Sequence, residues 1–66
     1  MTTNLVRVDL LEGFAWLDPF EVLSVEPCDV GARVTLSTGR AFLLPCKADA
    51  AALAINMARA GVAVRA

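Results

Sequence analysis

The two cysteines are the side chains of this sequence with the greatest capacity for chemistry. Neither Cys28 nor Cys46 belongs to a Cys-x-x-Cys pair, and the chain has no histidine, so a tetrahedral zinc site would lack two ligands. A nucleophilic thiol needs a nearby positive charge to stabilise its thiolate, and Lys47, next to Cys46 and ahead of a predicted helix, is the one suggestive neighbour. The pattern favours two reduced structural thiols over a reactive Cys46 or a disulfide, since cytosolic disulfides are rare.

The acidic side chains could bind a metal ion only if the fold gathered them. Asp9, Glu12, Asp18 and Glu21 recur at short intervals, but predicted strands and turns separate them, which favours solvated edge positions. The chain has no tyrosine, no glycine-rich phosphate loop and no Walker-type lysine. These features predict a non-enzymatic protein without a metal ion or another cofactor.

The aromatic side chains are better suited to binding than to catalysis. Phe42 follows a strand pattern that predicts a core position. Trp16 fits the edge of a core and a protein-binding surface about equally well, because tryptophan is enriched at interfaces. We expect Phe14 and Trp16 to contact a partner, with basic side chains contributed by Arg33 and Arg40.

The composition contains more apolar side chains than so small a chain can bury. Of the 66 residues, 58% are hydrophobic, and the mean hydropathy is +0.63. A domain of this size buries only about 60% of its unfolded surface. The surplus predicts a subunit interface rather than a membrane span, because no run approaches about 18 uncharged apolar residues. We therefore expect a single cytoplasmic domain, residues 1–66, that forms a dimer or a higher homo-oligomer.

The net charge of −1 is unevenly distributed along the chain. Residues 9–29 contain six acids and no base, whereas the chain from residue 33 onward contains five bases and one acid. This split fits two solvated faces, or complementary surfaces between subunits or towards a partner. Nucleic acid is not the expected partner of a chain with this net charge.

The elements that must position these side chains follow from hydrophobic alternation. Residues 33–44 read as a β-hairpin, with Gly39 at its tip supplying the positive φ that tight turns need. Three earlier strands are predicted at residues 5–11, 14–17 and 20–25, with a loop at residues 27–31. Short connections favour antiparallel pairing, so the prediction is an α+β fold: a small β-meander of about five strands followed by one C-terminal helix.

The predicted helix covers residues 49–60. Its apolar side chains sweep an arc of roughly 200°, about twice what one sheet face can cover, so part of the arc should face a second subunit. The alanine-rich flank, with Ala51, Ile55 and Ala58, is the favoured site of that contact, and the flank with Leu53 and Met57 is the alternative. The interface candidates are all apolar helix residues: Ala51, Leu53, Ile55, Met57 and Ala58. Residues 62–64 could add a short terminal strand.

The chain runs as a short strand, a turn at Gly13 and Phe14, a strand led by Asp18, a hairpin with Gly39, and a helix. This order of segments resembles the small flagellar-operon proteins linked to swarming motility. The resemblance covers residues 6–55, although residues 28–32 are inserted here and the helix is rich in alanine rather than in Glu and Lys. It implies a meander followed by a helix, and it transfers no catalytic residue. The positions that carry it match the family's turn, strand and hairpin pattern: Gly13, Phe14, Asp18, Val22, Val25, Val34, Thr35, Leu36 and Gly39.

Two functions of different classes follow from these observations. The first is a protein-interaction module that binds and modulates an unidentified protein, as adaptors and inhibitors do, including phage-encoded ones. The second is a small Sm-like barrel that uses its basic side chains to bind RNA or a small anionic or nucleotide ligand. Those basic side chains lie in the second half of the chain: Arg33, Arg40, Lys47 and Arg65.

Overall fold

The computed structural model describes residues 5–61 as five β-strands, one 3-10 helix and one α-helix. The strands are β1 (Val6–Asp9), β2 (Phe14–Leu17), β3 (Val22–Cys28), β4 (Gly31–Leu36) and β5 (Ala41–Leu44); the 3-10 helix spans Pro19–Glu21 and the α-helix, α1, spans Ala48–Arg59. β1 and β2 form one antiparallel sheet, and β3, β4 and β5 form a second. The predicted α+β class is confirmed, and the strand predicted at residues 62–64 lies outside the described residues.

The first sheet is a β-hairpin with one face on the core. Val6 and Val8 are fully buried, because alternate residues of a strand point to the same side. β1 ends two residues earlier than predicted, since the Leu10 amide donates to the Gly13 carbonyl at 2.9 Å and closes the turn. β2 has the predicted bounds.

The chain leaves the first sheet at Asp18. The Asp18 carboxylate accepts a hydrogen bond from the Phe20 amide at 2.9 Å, and Pro19 occupies the first helical position, which is a favoured start for a helical turn. The resulting 3-10 helix takes the place of the first two residues of the predicted third strand. That strand, β3, then continues beyond the predicted end at residue 25, through Pro27 to Cys28. The predicted loop at 27–31 was therefore wrong: only two residues separate β3 from β4.

The second sheet has β4 at its centre. Val25, Val34 and Phe42 are aligned across its three strands. Pro27 is tolerated in β3 because β3 is an edge strand of this sheet. At the tip of the β4–β5 hairpin, the Gly39 amide donates to the Leu36 carbonyl at 3.0 Å.

The helix packs its alanine-rich flank into the same core as the two sheets. The sequence predicted that this flank would remain free for a second subunit, and the structure shows that this prediction was wrong. Small side chains allow the helix axis to approach the strands closely, and alanine fits the short distance between the helix and the sheets. The core members are all apolar: Val6, Val8, Leu17, Val22, Ala32, Val34, Leu44, Ala51, Ile55 and Ala58.

Arg59 ties the C-terminal turn of α1 to the start of the second sheet. Its Nε donates to the Pro19 carbonyl at 2.8 Å, and its Nη2 donates to the Val22 carbonyl at 2.8 Å. A charged donor makes stronger hydrogen bonds than a neutral one. The two bonds fix the helix against the segment that joins the two sheets.

Replacement of Gly39 by valine should lower the free energy of unfolding by more than about 1 kcal/mol. Gly39 has φ +92°, and nothing lies within 4 Å of the position that a Cβ would take, so the cost is backbone strain alone. Urea denaturation followed by circular dichroism measures it. Thr38→Val, at the neighbouring exposed turn position, should change the stability by less than about 0.5 kcal/mol. Equal stability of the two variants would contradict the assigned turn conformation.

Candidate functional site

The outward face of the β1–β2 hairpin carries two large aromatic side chains in the open. Phe14 is 54% exposed and Trp16 is 58% exposed. Cross-strand pairing sets Asp9 opposite Phe14 and Arg7 opposite Trp16, so these four residues share the face that does not contact the core. We call these four residues the hairpin face. Leu5 and Leu11, just before and just after β1, are each half exposed.

Arg7 organises the centre of the hairpin face. Its guanidinium carbon lies 4.2 Å from the centroid of the Phe14 ring, a cation–π contact. Its Nε lies 3.7 Å from Oδ1 of Asp9, an ion pair that is too long for a hydrogen bond. Both charged side chains remain partly exposed. The face therefore presents aromatic surface with one positive and one negative charge side by side.

The structure brings together only two of the four predicted partner-binding residues. Phe14 and Trp16 are neighbours on β2, as the period of a strand requires. Arg33 lies on β4 of the other sheet, where its Nη2 is 3.6 Å from Glu26, and Arg40 lies over the ring of Phe42 at 5.2 Å. The basic residue beside the aromatics is instead Arg7, which the sequence analysis missed. The period-2 pattern of β1 combined with the hairpin register would have identified it.

The helix residues predicted to form an oligomer interface divide into two groups. Ala51, Ile55 and Ala58 are core residues of the single chain, so they offer no surface to a second subunit. Leu53 is 61% exposed, and Met57 is partly buried. Of the predicted interface residues, Leu53 and Met57 are therefore the two that remain accessible on the helix surface.

A second surface with an exposed apolar side chain lies where β3 runs beside α1. A groove of about 180 Å³ separates the two elements, and Leu23, Val25, Ala52 and Asn56 are among the residues that line it. Leu23 sits at an irregularity in the β3–β4 register and is 70% exposed. We call this surface the β3–α1 groove.

A wider open cleft of about 660 Å³ lies near the N-terminal end of α1. Its lining includes Cys28, Asp29, Lys47 and Asp49. Cys28 and Cys46 are both free, partly buried thiols. No group of three or more Cys, Asp or Glu side chains that could hold a metal ion occurs among residues 5–61.

Three of the acidic residues, Asp18, Glu21 and Glu26, have local structural roles. Asp18 accepts the Phe20 amide, and Glu21 accepts a hydrogen bond from the Ser37 hydroxyl. Glu26 pairs with Arg33 across β3 and β4.

Among the described residues, no helix is long and apolar enough to cross a membrane.

Comparison with known proteins adds no relative to this description. No family model, no curated protein and no solved structure matches the chain. The resemblance to the swarming-motility proteins therefore stays a prediction drawn from the sequence pattern.

Proposed function

We propose that this protein is a non-enzymatic interaction module that associates with itself and binds another protein, as an adaptor or an inhibitor does. One observation carries the proposal: large apolar side chains are exposed on two separate surfaces, the hairpin face and the β3–α1 groove. Exposed apolar patches on small proteins mark interaction sites. With two such surfaces, one can bind a second copy of the chain while the other binds a different protein.

The β3–α1 groove is the surface we assign to the other protein. Leu23 protrudes beside it, and the groove gives an apolar side chain of a partner somewhere to insert. Asn56 and Arg59 on α1 border the groove and supply polar groups at its rim. A small apolar centre with polar groups around it is the usual anatomy of a protein-binding patch.

Replacement of Leu23 by aspartate should abolish partner binding without unfolding the chain. The expected result is a loss of at least about tenfold in partner recovery. Binding would bury the new carboxylate in an apolar contact without an oppositely charged partner. Immobilised wild-type and variant proteins, exposed to lysate of the source organism and compared by quantitative mass spectrometry, measure the recovery.

Leu53→Asp is the matched control, since it makes the same substitution at another leucine that is more than half exposed, on the outer side of α1. A protein recovered by the wild type and by Leu53→Asp, and lost with Leu23→Asp, supports the proposal. Recovery that is equal with all three proteins, or absent with the wild type, contradicts it.

A further inference from the structure

We propose that the hairpin face is covered by the hairpin face of a second copy of this chain, related by a two-fold axis. This rests on the self-association in the proposed function and specifies which surface performs it. Within residues 5–61 the β1–β2 sheet has two strands, and a sheet of that size is marginal unless something packs on it. Its inner face packs on the core, and its outer face carries Phe14 and Trp16, each more than half exposed.

The arrangement of the hairpin face is self-complementary. Arg7 and Asp9 lie one residue either side of Val8, and Trp16 and Phe14 lie opposite them on β2. In the proposed dimer the two hairpins stack face to face. A two-fold axis that lies between them, parallel to the sheets and perpendicular to the strands at Val8, sets Arg7 of each copy against Asp9 of the other. The same operation sets Trp16 against Phe14. Every contact is thus made twice, as a symmetric dimer interface requires.

The charges favour this pairing over contact with an unrelated surface. Each copy contributes one cation and one anion, so the symmetric contact gathers two of each sign in alternation and leaves no net charge in the interface. The Arg7–Asp9 pair within each chain, at 3.7 Å, becomes part of this four-membered network. Opposite charges across an interface fix its register and exclude other alignments.

The available area suits a weak dimer. Phe14, Trp16, Leu5 and Leu11 are each at least half exposed. With aromatic side chains covering about 150–250 Å² each, these residues expose on the order of 400 Å² per copy. Together with Arg7 and Asp9, two copies would bury on the order of 1,000 Å², near the lower limit for specific association. We expect dissociation in the micromolar range.

Charge exchange at Arg7 and Asp9 tests the proposal directly. In the Asp9→Arg variant, positions 7 and 9 are both arginine, so two arginines of one copy face two arginines of the other. In the Arg7→Asp variant, both positions are aspartate, so two aspartates face two aspartates. Each variant alone should dissociate at least about tenfold more readily than the wild type. An equimolar mixture of the two variants should form a heterodimer, because every cation then faces an anion. The double variant Arg7→Asp/Asp9→Arg should recover the homodimer.

Sedimentation velocity over a concentration series measures these states, and circular dichroism confirms that each variant is folded. Glu26→Arg is the control: it disrupts the ion pair between Glu26 and Arg33, which is also partly exposed but lies on the second sheet. This control should associate like the wild type. The proposal is overturned if the wild type is monomeric, if the single variants associate normally, or if the mixture fails to rescue association. None of these variants alters Leu23, so partner capture by the β3–α1 groove is tested independently.

Discussion

Replacement of Gly31 by alanine is expected to unfold the protein. Gly31 begins β4 with φ +142°, a conformation that side chains rarely adopt. A Cβ at this position would also lie 2.6 Å from the Cys46 carbonyl oxygen and 2.9 Å from the Pro45 carbonyl carbon, and it would collide with the Leu44 carbonyl. All of these atoms are backbone, so no side chain can move aside. Strain and overpacking together should cost about 3 kcal/mol or more.

A chain of this size has a total stability of only about 3–10 kcal/mol, so such a loss removes about a third of it or more, and all of it at the lower end of the range. Gly13→Ala is the matched control: Gly13 has φ +90°, but nothing lies within 4 Å of the position of its Cβ. That variant should lose about 1 kcal/mol from backbone strain alone. Thermal and urea denaturation compare the two. Similar stabilities for Gly31→Ala and Gly13→Ala would show that β4 and the Leu44–Cys46 segment are not in close contact.

Replacement of Ile55 by aspartate is expected to have an effect of similar size. Ile55 is 2% exposed and belongs to the core shared by α1 and both sheets. The substitution removes a large apolar side chain and buries a carboxylate among apolar groups, at a cost of about 4 kcal/mol or more. Aspartate is too short to reach solvent in the way that lysine can. Far-ultraviolet circular dichroism should show a largely unfolded chain at room temperature.

Leu53→Asp, two residues away on the same helix, should remain folded. Leu53 is 61% exposed, so the change should alter stability by less than about 1 kcal/mol. It should also leave self-association unchanged, since the interface that we propose is the hairpin face. A folded Ile55→Asp variant, or an unfolded Leu53→Asp variant, would contradict the orientation of α1.

Local patterns in the sequence predict most of the secondary structure. β2 has its predicted bounds, and β5 ends at Leu44, where the predicted hairpin ends, because apolar residues lie between clear turn signals. The helix begins and ends one residue earlier than predicted. Gly39 has the expected positive φ, since glycine is the residue that relieves strain in a tight hairpin turn.

Features that depend on tertiary contacts could not be predicted in this way. The orientation of α1 was misjudged because its apolar arc includes both alanines and larger side chains, and the periodicity does not rank them. Close packing on two sheets selects Ala51, Ala54 and Ala58 for the core and leaves Leu53 outside. The division of the strands between two sheets likewise depends on the 3-10 helix at Pro19–Glu21.

The candidate site was half predicted for a related reason. Phe14 and Trp16 are two residues apart, so a strand places them on one face whatever the rest of the fold does. Their charged neighbours come from β1, and only the cross-strand register identifies Arg7 and Asp9. Arg33 and Arg40 belong to the other sheet and are engaged there with Glu26 and Phe42.

Sedimentation velocity of the wild-type chain at about 100 μM tests the central claim most directly, because a micromolar interface of this size should be nearly saturated at that concentration. We predict one folded species with twice the 7.0 kDa mass of the single chain. A folded species of 7.0 kDa at this concentration would contradict self-association through the hairpin face.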